Sequence, residues 1–443
     1  MYCTSEALMV IAFFAAYRFS RKYLSSLQSV MAISALPVMG YYSALVPQLN
    51  HNIIMIPAWA MTILFSYKAI EERKAWAWPL LGLTIGLGIL GKYTILMLPT
   101  LILAYIVSTP AHRPLLRRAE LWLGVAVCLL VILPHLVWLV HNGFPTLRYL
   151  AEDAGTGGGS VMSHVVNPVD GLLKMLGMCA SLLLLMVGGL GIPKWQLPGL
   201  RSRDRFLLFM TVGPVVLVLL LSLLTGGEIH NEWATPFFVT LPTLLLLLFY
   251  PEPVARHVNR FLVWVSGLSA AMIAVYLAIY SGAMPLAAES AWARFPAKEL
   301  TASVSESWHR VCRGPVPVVI SDSWLAGTAS FGLPERPRVY TEANPAMASW
   351  LSDRAVRESG AVVIWEADHQ GRFREIDHMN DVAPGQQADW FPGTEAMKAR
   401  FGAVEMLPDV VLTYPEFTGL APVRLSRMVI PPAQPCPEAI ASR

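Results

Sequence analysis

One lysine interrupts the apolar run from Trp78 to Val107: within GLGILGKYTILMLP, Lys92 carries its only charge. A lysine at the centre of a membrane helix costs roughly 2.5 to 3.5 kcal/mol on insertion scales, so the fold must lower that cost or use the charge. An ammonium held there would sit at a turn facing a polar cleft; the bland alternative is that it snorkels to the membrane surface and does nothing more. Tyr93 adjoins it and joins the substrate-binding candidates.

Three further stretches carry reactive groups. Asn50, His51 and Asn52 precede an apolar run, where they could bind sugar hydroxyls, and Asn52 could instead be a helix N-cap. His141 opens HNGFPTLRYL, in which Arg148 beside Phe144 and Tyr149 suits an anionic headgroup, or anchors the chain within an aromatic belt. Glu228, His230 and Glu232 alternate in EIHNEW, open to acid, base or ligand roles, or to a solvated loop. No second cluster with metal-ligand spacing stands beside them, so no metal or cofactor is assigned.

The elements that must hold these residues are membrane helices. Of 443 residues, 55% are hydrophobic and 14% charged, and the apolar ones are gathered into runs. The net charge of +3 is too small to argue for nucleic acid, and none is expected as a partner. Apolar segments fall at about 5–18, 25–45, 53–69, 77–91, 94–109, 119–140, 171–192, 206–225, 235–250 and 260–281, which predicts a polytopic α-helical protein of about ten membrane segments. At the N-terminus the basic cluster follows the apolar run, the order of a span and not of a signal peptide.

The fourth and fifth segments flank Lys92 and could form one span or a hairpin. A single helix of 30 residues would be about 45 Å long against a hydrocarbon core of about 30 Å, and would have to tilt by roughly 48°. The hairpin also gathers Arg18, Arg21, Lys22, Lys68, Arg73, Lys74, Arg113, Arg117, Arg118, Lys194, Arg201, Arg203, Arg205, Arg256 and Arg260 in the loops of one side, leaving Lys92 and Arg148 in the turns and loops of the other. The hairpin is therefore expected, with Lys92 at its tip. The same parity puts Gly40–Asn52, the long loop His141–Asp170, Thr225–Trp233 and the C-terminal part on the outer face.

Residues 1–281 are expected to form the transmembrane domain and 282–443 a periplasmic α/β domain. In the latter, PVPVVIS (Pro315–Ser321) and GAVVIWE (Gly360–Glu366) read as buried strands, and Leu300, Val304, Trp308 and Val311 recur at helical spacing. Cys312 and Cys436 both fall there, and an oxidising compartment would permit a disulfide worth on the order of 5 kcal/mol. The sequence leaves open whether the two approach.

Taken in order, NHNIIMIPAW, GLGILGKYTILMLP, HNGFPTLRYL and HNEWATP resemble the GT-C membrane glycosyltransferases. More narrowly they resemble the family-39 and lipid A galacturonosyltransferase-like (RgtA/B/C/D-like) proteins, relatives of the aminoarabinose and protein O-mannosyl transferases. The resemblance covers about residues 5 to 280. It implies transfer of a sugar from a polyprenyl-phosphate donor to an acceptor such as lipid A, core or another envelope glycolipid, at the outer face of the bacterial inner membrane. It also implies Lys92, with Arg148 as a second cation, as the donor-phosphate site, and a carboxylate that takes the acceptor proton.

Relatives carry an acidic pair in a first outer loop, and TSEALMV matches the start of their second helix. That pair is therefore expected to be absent from this chain, which leaves the catalytic base unassigned. Asn52 stands where relatives carry a second aspartate, and an amide cannot act as a base. Two other classes stay open: a membrane transporter, and a relative that binds polyprenyl phosphate without turning it over.

Overall fold

In the computed structural model the apolar runs fold as helices and the C-terminal part as a sheet flanked by helices. The described residues are all but 1, 44–45, 47–48, 145, 147–160, 194–201, 251–256, 282–293, 368–389, 415–421, 435 and 437–443. The chain divides into two compact units, Met1–Trp138 with Gly157–Tyr276, and Leu139–Thr156 with Leu277–Arg443.

The first unit is helical: α1 (Tyr2–Ser20), α2 (Ser26–Ser34), α3 (His51–Ile70), α4 (Ala77–Gly91), α5 (Met97–Ser108), α6 (Ala119–His141, whose last turn passes into the second unit), α7 (Ser163–Leu190), α8 (Ser202–Thr225), α9 (Leu241–Phe249) and α10 (Val258–Ser281). Among the described residues, five helical stretches are long and apolar enough to cross a membrane: His51–Ile70, Ala119–His141, Ser163–Leu190, Asp204–Thr225 and Val258–Ala278. Ala77–Gly91 and Tyr93–Ser108 are shorter apolar pieces. α7 begins at Ser163, so the end of the expected long loop, through Asp170, is helical. Pro168 lies inside it, in its second turn.

Side-chain pairs give the helix directions. α4 runs back along α3, since Thr62 Oγ1 donates to Thr84 Oγ1 at 3.1 Å while Asn52 meets Lys92. α6 runs parallel to α4: a Cβ on Gly82 would strike the carbonyl of Gly124, and one on Gly86 would lie 2.9 Å from Val131 Cβ. Small residues let these two backbones touch, as membrane helices do when dispersion must hold them together.

Two parallel neighbours require a return between them, and α5 supplies it. The break falls at Lys92, whose φ of −165° and ψ of 136° are extended. Ile95 then packs back on Gly88, where a Cβ would lie 2.8 Å from Ile95 Cγ1. In an unbroken helix, residues seven apart are separated by about 10 Å. α5 descends antiparallel to α8, with Leu101 against Gly213 and Tyr105 edge-on to Phe206 at 5.3 Å.

The end of this unit opposite Lys92 holds a polar cluster. Lys22 pairs with Glu72, Tyr105 Oη donates to Glu71 Oε1 at 2.7 Å, and His112 Nε2 lies 3.1 Å from the same oxygen. Burial holds the His112 imidazole below its usual pKa, outweighing the attraction of Glu71.

The second unit holds α11 (Ala297–His309), β1 (Val318–Ser321), α12 (Ser323–Gly332), β2 (Arg338–Thr341), α13 (Asp353–Ser359), β3 (Ala361–Glu366), α14 (Thr394–Phe401), β4 (Glu405–Leu412) and β5 (Val423–Ile430). The strand order is β2-β1-β3-β5-β4, with β2, β1 and β3 parallel and β5 antiparallel to both β3 and β4. Alternation along the strands sorts the core into two layers. Val319 and Val362 pack with Leu300, Val304 and Trp308 of α11, while Val318, Ile320 and Val363 pack with Val356 of α13 and Met397 of α14. Both strands read from the sequence are present, β1 starting three residues later than its apolar run, and α11 ends before Val311.

Candidate functional site

The site is built where α3 begins and α4 ends. Asn50, extended at φ −139° and ψ 178°, is the N-cap of α3: its Oδ1 accepts from the N–H groups of Asn52 at 2.9 Å and Ile53 at 3.2 Å. This corrects the expectation of a cap at Asn52 and has a consequence. With the cap supplied by its neighbour, the Asn52 side chain is released to face the bundle, where it is 9% exposed and its Oδ1 accepts from Lys92 Nζ at 2.7 Å.

The ammonium is half-buried and its other contacts come from the stretch before α9. Its nitrogen lies 5.8 Å from the centre of the Trp233 ring, within cation–π range. The charge of Glu232 is felt at Lys92, and that of Lys92 at the exposed His51. Lysine has three N–H donors and Asn52 takes one, so the group retains capacity for phosphate oxygens.

Tyr93, the next residue, points to α6: its hydroxyl lies 2.6 Å from Nε2 of His135. The remaining candidates divide. His230 packs on Trp233, with ring centres 5.0 Å apart, and Glu232 is half-buried. Glu228 is exposed, because the intervening Ile229 is the residue that turns inward, onto Gly171. His141 ends α6 within the second unit and is exposed. Arg148 and Tyr149 lie outside the described residues. Cys312 and Cys436 are joined as a disulfide with Cα atoms 5.5 Å apart. Among the described residues, no three His, Cys, Asp or Glu side chains are grouped so as to hold a metal ion.

Sequence reasoning missed His135, Trp233 and the pairing of Asn52 with Lys92. His135 carried the same signal as Lys92: from Leu121 to Val140 it is the sole residue among Asp, Glu, Lys, Arg and His. The pairing had no local signal, since its partners are 40 residues apart.

The chain is similar to several known proteins. The dolichyl-phosphate-mannose-protein mannosyltransferase family matches residues 1–138, a stretch that includes Asn50 to Asn52, Lys92, Tyr93 and His135. The lipopolysaccharide core galacturonosyltransferase RgtB of Rhizobium johnstonii is 26% identical over 297 residues, 64% of this chain and 58% of its own length. RgtA of the same organism, also a lipopolysaccharide core galacturonosyltransferase, is 25% identical over 227 residues, 49% of this chain and 44% of its own. The chain thus spans about half the length of these curated relatives. The crystal structure of ArnT from Cupriavidus metallidurans bound to undecaprenyl phosphate shares the fold, with a TM-score of 0.53 at 14% identity over 99% of this chain and 85% of that one. By matched sequence the chain is similar to these glycosyltransferases over part of its length, and by fold it is similar to ArnT.

Proposed function

We propose that the chain transfers a sugar from a polyprenyl-phosphate donor to an envelope glycolipid acceptor of the lipid A or lipopolysaccharide type. The reaction is placed at the outer face of the bacterial inner membrane, with residues 1–281 as the membrane domain and 282–443 as a periplasmic one. The observation that carries this reading is the ammonium of Lys92, held at a hairpin tip by the neutral Asn52. The amide itself cancels none of the positive charge, and a lipid phosphate answers it. The names of RgtB and RgtA, and the undecaprenyl phosphate bound to ArnT, supply the donor and acceptor classes.

In the transfer, the bond between the sugar's anomeric carbon and the phosphate oxygen breaks, and its electron pair leaves on that oxygen, where Lys92 meets the added charge. The acceptor hydroxyl oxygen forms the new bond to the anomeric carbon and gives up its proton to a carboxylate. Glu232, half-buried and next in sequence to the Trp233 that faces the ammonium, is assigned that part. Arg148 remains the second cation for the phosphate in this proposal.

A second reading, a relative that binds polyprenyl phosphate without turnover, is favoured by one observation: the polar side chain on Lys92 is an amide, Asn52, which takes no proton. Mass spectrometry of envelope lipids with and without the gene tests the first reading, and a Glu232→Gln variant separates the two. Loss of a sugar from an envelope lipid in both the deletion and the variant, with undecaprenyl phosphate binding retained in the variant, supports transfer. Unchanged lipids with intact binding support the second.

A further inference from the structure

Tyr93 and His135 form a pair that neither the charge of Lys92 nor the packing of the helices requires. The Tyr93 hydroxyl lies 2.6 Å from His135 Nε2, with ring centres 5.9 Å apart. The imidazole is stacked on Trp138, one turn further along α6, at 5.8 Å and 14° between planes. A polar side chain inside an otherwise apolar helix is costly unless bonded, and the bond it makes is to the turn that carries Lys92.

That turn has two side-chain anchors. On one side Lys92 is bonded to Asn52 of α3, and on the other Tyr93 is bonded to His135 of α6. A phosphate that takes the remaining N–H donors of the ammonium pulls on the turn, and both anchors hold it against that pull, the α6 anchor through Tyr93 without engaging the ammonium itself. We propose that His135 is a positioning residue of the lipid-phosphate site, acting through Tyr93 to hold the turn that presents Lys92. The inference rests on the donor reading given above.

The test is binding of undecaprenyl phosphate to the purified full-length chain in detergent. His135→Leu keeps the bulk and the apolar surroundings of α6 but removes the bond, Tyr93→Phe removes it from the other side without altering α6, and His135→Gln offers an amide near the place of Nε2. The expected result is a loss of affinity of about three- to tenfold for His135→Leu and for Tyr93→Phe, the scale of one hydrogen bond. The double variant should be no weaker than either single one, and His135→Gln should retain most of the affinity. A double variant whose losses multiply, or a His135→Gln protein as weak as His135→Leu, overturns the proposal. If the wild type binds, Lys92→Ala does not, and both His135→Leu and Tyr93→Phe match the wild type, this inference alone falls. If the wild type itself does not bind, the donor reading falls and takes this one with it.

Discussion

Lys92 Nζ lies 2.7 Å from Asn52 Oδ1, joining the end of α4 to the start of α3 across 40 residues of sequence. The amide serves the ammonium as a hydrogen-bond acceptor without neutralising it, as a carboxylate would. The lysine is therefore tolerated in the bundle and still charged toward an arriving anion.

Asn52→Leu should make this visible in thermal melts. It leaves a half-buried ammonium without its acceptor, which costs about 1–3 kcal/mol. The variant should melt below the wild type without ligand, and added undecaprenyl phosphate should raise its melting temperature more than it raises that of the wild type, because the phosphate replaces the missing partner. Equal shifts for the two proteins would contradict the pairing.

The contact between α4 and α6 should be intolerant of bulk. A Cβ on Gly82 would collide with the carbonyl of Gly124, and one on Gly124 would lie 2.5 Å from the carbonyl of Trp78. Gly82→Leu should cost about 1–3 kcal/mol, the usual range for overpacking, and lower the melting temperature. Gly177→Leu is the control, since nothing stands within 4 Å of its Cβ. Equal melting temperatures for the two variants would show that the close approach is absent.

Acid should loosen the sheet region through Asp353. Arg400 donates to both of its oxygens at 2.7 Å and Tyr340 donates to one at 2.7 Å, so the carboxyl is held below its usual range, chiefly by the guanidinium. A carboxylate with a lowered folded pKa contributes stability in full above the unfolded value, about 3.9, and loses it as pH falls through the folded one. Hydrogen-exchange protection factors of β2 and α13 in the full chain should therefore drop below about pH 4. Asp353→Asn should lower them at neutral pH and flatten that dependence; an unchanged profile would refute the assignment.

The disulfide should be countable. Alkylation of the unreduced, denatured chain should modify Cys3, Cys128 and Cys179, and all five cysteines after reduction. Closing a loop across a separation of 124 residues is worth on the order of 5 kcal/mol in the chain-entropy model, so reduction should lower the protection of β1, β3 and β5. Five reactive thiols before reduction would remove the bond.

How much of this was legible depended on whether the signal was local. The break at Lys92 could be read because an unbroken run would outrun the bilayer, and β1 and β3 because each is a short apolar run bounded by proline or glycine. β5 was hidden by Arg427, a charge in a buried strand. Its guanidinium reaches Ser303 and Ser307 of α11 and the carbonyl of Pro408, partners distant or unremarkable in sequence. The start of α7 was masked by Asn167, Pro168 and Asp170, which read as loop residues but fall in its first turns. The site was half legible: Lys92 announced itself by its surroundings, whereas Asn52, Trp233 and His135 became its neighbours only through helix packing.

The most direct measurement is the affinity of the purified chain for undecaprenyl phosphate, compared between the wild type and Lys92→Met, which keeps the apolar stem and removes the charge. The expected result is saturable binding by the wild type and a loss of at least about tenfold in the variant, or roughly 1.4 kcal/mol. Equal affinities in a variant that melts like the wild type would contradict the account.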